Sequence, residues 1–176
     1  MKYRNIREEE LKNKIAHDFF GNFDCTEIIK DIDFAVKAAP ATDYRLSTAG
    51  YLLWAEAKKD SDDVISMLTQ LVLTIGKART FDNILPPPFL GCFDCEKIAF
   101  VPYSDVQDIF YLNDFNWKVA PSDKKTREFQ LVSAKIEEII NNIPWETYVF
   151  YFEKDEKELK RFIRDNFVIG KTDYSG

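Results

Sequence analysis

Apolar residues recur every three or four positions in several long segments of the chain. This spacing is typical of helices that bury one face. It predicts helices over residues 5–20, 62–80 and 122–141, with a last helix beginning at about Asp155. In the first of them the apolar stripe consists of Leu11, Ile15 and Phe19. A triple proline at 86–88 predicts an extended loop, because proline cannot continue a helix.

Shorter apolar or alternating runs predict strands over residues 32–37, 43–47, 51–58, 97–103 and 147–152. Residues 105–121 combine many aromatic and acidic side chains without a clear period, which predicts an irregular packed segment. The order of elements, helix, three strands, and then helices alternating with strands, indicates an α/β layered domain. A chain of 176 residues with 45% hydrophobic content suits one core. We therefore expect a single domain over residues 1–170 and a linker at 171–176.

The strand at 51–58 contains an acid and a base within an otherwise apolar run. Glu56 and Lys58 are two positions apart, so their side chains share one face of the strand. Moving a charged side chain out of water costs roughly several kcal/mol. Such side chains are therefore rare inside a sheet unless they are paired, bind a metal or have a function. These two residues are therefore the first candidates for a site.

A turn signal at Ala49-Gly50 predicts that residues 43–47 and 51–58 form a hairpin. A two-residue loop places Asp43 directly opposite Glu56, on the same face. A three-residue loop without a bulge would instead oppose Asp43 to Ala55, and a bulge would restore the first pairing. The sequence thus predicts that Asp43, Glu56 and Lys58 converge.

Two carboxylates beside a lysine can hold a divalent cation against a phosphodiester. Mg²⁺ prefers oxygen ligands and lowers the pKa of a bound water. Asp43, Glu56 and the backbone carbonyl of Ala57 are the predicted metal ligands, and Lys58 is predicted to assist the attacking water. The same spacing also occurs in strands that simply end in surface lysines, so a structural interpretation stays open on spacing alone.

Charge and cysteine content narrow the classes of protein. The net charge of -6 is unlike that of a self-sufficient nucleic-acid binder, so other parts would have to help hold DNA. Three cysteines, a charged N-terminal segment and the absence of a long apolar run favour a cytoplasmic protein without a membrane span. Cys92 and Cys95 are expected to be small core residues rather than zinc or redox ligands.

Asp43 with Glu56-Ala57-Lys58, an acidic helix before them and a helix with Gln70 after them resemble the PD-(D/E)xK nuclease superfamily. Residues 53–59, 70–81 and 86–91 further resemble the N-terminal nuclease region of bacterial combined restriction-modification polypeptides, the type IIG/IIL-like endonuclease-methyltransferases. The resemblance is best over residues 43–129. It departs from the superfamily at Thr74, where some branches have tyrosine, and at Pro40, which is displaced from position 42.

The resemblance implies a restriction-endonuclease-like core with a mixed central β-sheet flanked by helices. It implies cleavage of double-stranded DNA that depends on Mg²⁺, for which Mn²⁺ can substitute. By the same resemblance Asp43 and Glu56 are the metal-binding acids, Lys58 is the catalytic lysine, Gln70 is the helix glutamine, and Glu10 is a further metal-binding acid.

Partners and the main alternative follow from the same resemblance. Methyltransferase and target-recognition domains are expected beyond Gly176, with S-adenosylmethionine used only in the methyltransferase. The oligomeric state is not indicated. The alternative function is a catalytically silent nuclease-like module that docks partner domains or binds DNA in a larger assembly.

Overall fold

A mixed β-sheet forms the centre of the protein in a computed structural model that describes residues 2–38 and 50–167. Within these residues five strands lie in the order β1-β2-β3-β4-β5. They are β1 (Phe34–Lys37), β2 (Tyr51–Ala57), β3 (Phe89–Phe93), β4 (Lys97–Pro102) and β5 (Val149–Tyr151). β2 and β3 are parallel, and the other neighbouring strands are antiparallel. The predicted α/β fold with a mixed central sheet flanked by helices is confirmed.

Four longer helices pack against this sheet, and two short ones connect its parts. The helices are α1 (Glu8–Phe19), α2 (Val64–Ala78), α3 (Thr80–Asn83), α4 (Tyr103–Val106), α5 (Arg127–Asn141) and α6 (Glu156–Asn166). Turns of 3₁₀-helix cover Gln107–Tyr111 and Trp145–Thr147. Among the helices in the described ranges, none is both long enough and apolar enough to cross a bilayer.

The sheet separates two hydrophobic cores. On one face, Trp54 of β2 packs with buried residues of α2 and α5, such as Leu71 and Val132. On the other face, Leu53 and Ala55 of β2 pack with residues of α1 and α6. β2 is buried on both sides, which explains why its sequence is a nearly continuous apolar run. By strand alternation, Glu56 shares the face of Trp54, toward α2.

The helix predictions from apolar spacing are confirmed, with differences at the ends. Leu11, Ile15 and Phe19 are the buried residues of α1. α5 begins later than predicted because its N-cap is Thr126, whose side chain accepts a hydrogen bond from the Phe129 backbone, and not Ser122. Ser122 was a suitable capping residue by type, but the segment after it turns before the helix begins.

The strand β3 was not predicted from the sequence. Its residues Phe89–Phe93 follow the triple proline and include Gly91 and Cys92, and no element was predicted for them. In the structure β3 is the middle strand of the sheet, between β2 and β4. A short strand buried on both faces shows no alternation, and only its two neighbours identify it.

At Gly91 the backbone of β3 lies so close to β4 that there is no room for a side chain. A Cβ at this position would lie 2.8 Å from the backbone oxygen of Ala99 and 3.1 Å from the Leu53 side chain. The first neighbour is main chain in the adjacent strand and cannot turn away. Overpacking of a well-packed core typically costs about 1–3 kcal/mol.

We therefore expect Gly91→Ala to lower the free energy of unfolding by about 1–3 kcal/mol in urea denaturation. Gly50→Ala is the matched control, because a Cβ at Gly50 would meet no atom of the described residues within 4 Å. Equal stability of the Gly91→Ala variant and the wild type would contradict this packing.

Candidate catalytic site

Asp33 lies across from Glu56 at the end of the β1–β2 pair. The register pairs Phe34 with Ala55 and Ala35 with Trp54. One further step in the same antiparallel register brings Asp33 opposite Glu56, and opposed residues share a face. The backbone N–H of Ala57 donates a hydrogen bond to Asp33 Oδ2 at 3.0 Å, which fixes the Asp33 carboxylate beside the end of β2.

The hairpin predicted between residues 43–47 and 51–58 is not the pairing that β2 makes within the described residues, and its first strand lies outside them. β2 has β1 on one side and β3 on the other, so both of its hydrogen-bonding edges are occupied. Among the described strands, β1 is the antiparallel neighbour of β2. Asp43 lies in residues 39–49, outside the described residues. Its role as a metal ligand stays a prediction.

Glu56 is buried beside a second acid. The residue is only 4% exposed. Burial, the charge of Asp33 and a side-chain hydrogen bond with Asp33 raise the pKa of Glu56 to about 8, against the opposite effect of Lys58. The raised pKa favours the protonated form of Glu56 at neutral pH, in which its carboxyl group can donate to the Asp33 carboxylate.

Lys58 completes a group of three on the same face. Its Nζ lies 3.6 Å from Glu56 Oε2, and its side chain is 31% exposed. The backbone N–H of Lys58 donates to the carbonyl of Phe93 at 3.0 Å, which holds this residue in line with the strand although β2 ends at Ala57. The ammonium group thus stands between the buried carboxyl pair and solvent.

Glu8, the first residue of α1, has a pKa that the charges of Asp33 and Lys58 affect. Burial and the charge of Asp33 raise the pKa of Glu8, and the charges of Lys12 and Lys58 act against this rise. Glu10 is exposed. Residues two positions apart on a helix point in nearly opposite directions, so the two acids cannot face the same site. Glu8 is therefore a further candidate for the helix acid near the site, and the role of Glu10 as a metal ligand stays a prediction.

Gln70 is half-buried on α2 and lines a pocket at the flank of this helix. Within residues 2–38 and 50–167 no hydrogen bond joins the Gln70 amide to Asp33, Glu56 or Lys58. The predicted catalytic role of Gln70 stays a prediction.

The carboxyl pair has the donor chemistry that Mg²⁺ requires. Asp33 and Glu56 offer hard oxygen ligands, and Mg²⁺ sites commonly use one or two carboxylates and keep several waters. Among the described residues no group of three or more histidine, cysteine, aspartate or glutamate side chains is arranged to hold a metal ion. A cation at the pair would have to displace the proton of Glu56. The carbonyl of Ala57 as a further ligand stays a prediction.

Cys92 and Cys95 pack in the two hydrophobic cores. Cys25, Cys92 and Cys95 are free, and Cys92 and Cys95 are buried. Cys92 is the β3 neighbour of Glu56. Burial raises the pKa of the Cys92 thiol well above its usual value, so the neutral thiol acts as a small core residue. The expected packing role of both is confirmed.

Asp33 is the functional candidate that sequence reasoning missed. It was included in the predicted strand over residues 32–37, and that strand is real. Pairing this strand with residues 51–58 would have brought Asp33 opposite Glu56. The short turn at Ala49-Gly50 favoured a nearer partner instead, and Asp43 was the acid at that distance.

Comparisons with known proteins give no further identification. No protein-family model matches the chain, and no curated protein or solved structure is significantly similar to it.

Proposed function

We propose that this chain is a Mg²⁺-dependent endonuclease domain that hydrolyses phosphodiester bonds of double-stranded DNA. The observation that carries the proposal is the opposition of the Asp33 and Glu56 carboxyl groups, with Lys58 Nζ 3.6 Å from Glu56. A buried acid pair lowers stability, because one of its members must stay protonated or find a cation. Such a pair next to a lysine suits metal-dependent phosphodiester hydrolysis.

The chain's own residues divide the work in the following way. Asp33 and Glu56 provide oxygen ligands from two neighbouring strands, and the Ala57 N–H holds the Asp33 carboxylate in position. When bound, Mg²⁺ would supply Lewis acidity and a water of lowered pKa. Lys58 offsets negative charge on the phosphate group and orients the water through its ammonium protons. Glu8 is the first residue of α1, and its negative charge, when ionised, would favour a cation at the carboxyl pair.

The assignment to a bacterial restriction-modification enzyme rests on the resemblance described above. A net charge of -6 gives the chain little general attraction for DNA. Downstream target-recognition and methyltransferase domains, the latter using S-adenosylmethionine, would provide the missing contacts. Asp43 and Gln70 remain additional candidates for metal binding and for catalysis.

Cleavage of duplex DNA in Mg²⁺ or Mn²⁺ by the intact parent protein tests the proposal. Asp33→Asn and Lys58→Ala are each expected to lower the cleavage rate by at least about 100-fold, the usual cost of removing a group that stabilises the transition state. Lys59→Ala is the matched control. Its side chain is 60% exposed and its Nζ lies 3.9 Å from Asp60, so its rate should stay close to wild type.

Two outcomes would reject the nuclease assignment. One is unchanged cleavage by both the Asp33 and the Lys58 variants. The other is DNA binding without cleavage by the intact parent in either metal, which would favour the catalytically silent docking or DNA-binding module.

A further inference from the structure

A pocket on the flank of α2 brings together cationic and neutral polar side chains. Its volume is about 500 Å³, and its lining includes Lys30, Asp31, Gln70, Thr74 and Lys77. Gln70, Thr74 and Lys77 lie on one side of α2, since residues four and then three positions apart are neighbours on a helix. Lys30 and Asp31 come from the segment that leads into β1. The pocket therefore lies between α2 and the segment that carries Asp33.

Two neutral groups in the lining have hydrogen-bonding capacity to spare. Thr74 is only 8% exposed, and Gln70 is half-buried. In the described part of the chain neither side chain makes a hydrogen bond, whereas Thr69 on the same helix donates to the Ile65 carbonyl at 2.7 Å. A hydroxyl and an amide without a protein partner on the wall of a pocket can each donate a hydrogen bond to a polar ligand there.

The charge of the lining indicates the sign of that ligand. Lys30 and Lys77 contribute two positive charges and Asp31 contributes one negative charge, which leaves the pocket positive in a chain of net charge -6. Both lysines are exposed, so each ammonium can move toward an anion. Lysine is a common phosphate ligand, and amide and hydroxyl groups provide further donors to phosphate oxygens.

We infer that this pocket binds a phosphate group of the DNA backbone next to the cleaved position. The inference rests on the proposed function. Asp31, which lines the pocket, is two residues before Asp33, so one wall of the pocket is next to the candidate site along the chain. Lys30 and Lys77 bind the phosphate by charge, and Gln70 and Thr74 donate hydrogen bonds to it. Asp31 opposes the binding and limits its strength.

Affinity for a fluorescein-labelled DNA duplex, measured by anisotropy over a range of salt concentrations and without divalent metal, tests the inference independently of cleavage. Lys30→Ala with Lys77→Ala is expected to weaken binding and to reduce the slope of log affinity against log salt by about one, the contribution of one phosphate contact. Lys14→Ala with Lys157→Ala removes the same charge from exposed positions on α1 and α6. This control should change the slope by less than half as much.

Asp31→Asn gives a change in the opposite direction. Asp31 has a backbone φ of 67°, which asparagine also tolerates. The substitution is therefore expected to keep the loop and to strengthen duplex binding about threefold or more, because a negative charge close to the phosphate is removed. Thr74→Val, which keeps the shape of the side chain, should weaken binding about two- to fivefold by removing one donor.

Titration with inorganic phosphate, followed by NMR at the Gln70 side-chain amide, shows whether the phosphate group itself enters the pocket. Shifts at Gln70 together with the predicted duplex results support the inference. Shifts at Gln70 with no selective effect of the variants on duplex binding would assign the pocket to free phosphate and overturn the DNA subsite. The absence of both effects would overturn the pocket altogether. Either negative result is compatible with cleavage that still depends on Asp33 and Lys58, so the pocket can fail while the proposed function stands.

Discussion

Glu56→Gln is expected to make the protein more stable at pH 8, by on the order of 2 kcal/mol, while abolishing DNA cleavage. The pKa of Glu56 is raised from 4.5 to about 8 in the folded protein. Its contribution to stability is therefore fully present below pH 4.5 and is lost as the pH rises through 8, because the unfolded chain releases the proton first. Glutamine does not titrate and keeps a donor for Asp33, so the variant avoids this loss.

Urea denaturation at pH 5 and pH 8 measures the effect. The wild type should lose stability between the two values, and Glu56→Gln should lose much less. Glu10→Gln is the matched control, because Glu10 is an exposed acid on α1 and its variant should follow the wild type. Identical pH dependence of the wild type and Glu56→Gln would show that Glu56 is not held protonated beside Asp33.

Glu56→Gln also tests whether a metal ion binds at the carboxyl pair, by a measurement that does not depend on cleavage. A cation that binds the ionised pair stabilises the folded state in proportion to its occupancy. Mn²⁺ or Mg²⁺ at pH 8 should therefore raise the melting temperature of the wild type more than that of Glu56→Gln. An equal rise in both proteins would place metal binding elsewhere.

Asp94→Ala is expected to lower the free energy of unfolding by about 3–5 kcal/mol, the usual effect of breaking a buried ion pair. The side chain of Asp94 is fully buried, and its Oδ2 lies 2.5 Å from Lys97 Nζ. The carboxylate also accepts hydrogen bonds from the backbone N–H groups of Asp62, Glu96 and Lys97. Alanine would leave these donors without their acceptor and a buried ammonium with the Asp62 carbonyl alone.

Asp155→Ala provides the comparison for this loss. Asp155 Oδ2 also accepts a backbone hydrogen bond, from Tyr151 at 2.9 Å, but in an exposed position. Its removal should cost about 1 kcal/mol. Asp94→Asn combined with Lys97→Met removes both charges and should recover part of the loss. Equal losses of unfolding free energy for Asp94→Ala and Asp155→Ala in urea denaturation would show that the buried ion pair contributes no more than one exposed hydrogen bond.

The Asp94–Lys97 pair also bears on the candidate site. Asp94 and Lys97 bind the backbone N–H and carbonyl of Asp62, and Asp62 lies in the turn that follows Lys58. The β3–β4 turn thus holds the segment between Lys58 and α2. None of these contacts was predicted, because Asp94 stood out in the sequence only as part of the spacing between two cysteines.

Local patterns were sufficient to locate the four longer helices. The burial of Leu11, Ile15 and Phe19 in α1 follows from their spacing alone, because a helix presents residues four apart on one face whatever it packs against. The N-cap of α2 is also local, since Asp63 accepts a hydrogen bond from the Ser66 backbone. β3 is the opposite case. Its sequence contains glycine and follows prolines, and its identity as a strand comes from pairing with β2 and β4 on either side.

By itself the sequence determined the α/β class, the position of Glu56 and Lys58 on one face of a strand, and their unusual presence in an apolar run. Only the tertiary structure decided the partner of Glu56, which the β1–β2 register makes Asp33, and showed that the charge of Asp33 raises the pKa of Glu8 in α1. The physical reason is that residues on one strand share a face by a fixed period of two, whereas the register between strands depends on which edges meet. That choice is made by long-range packing on both sides of β2, where no local signal distinguishes Asp33 from Asp43.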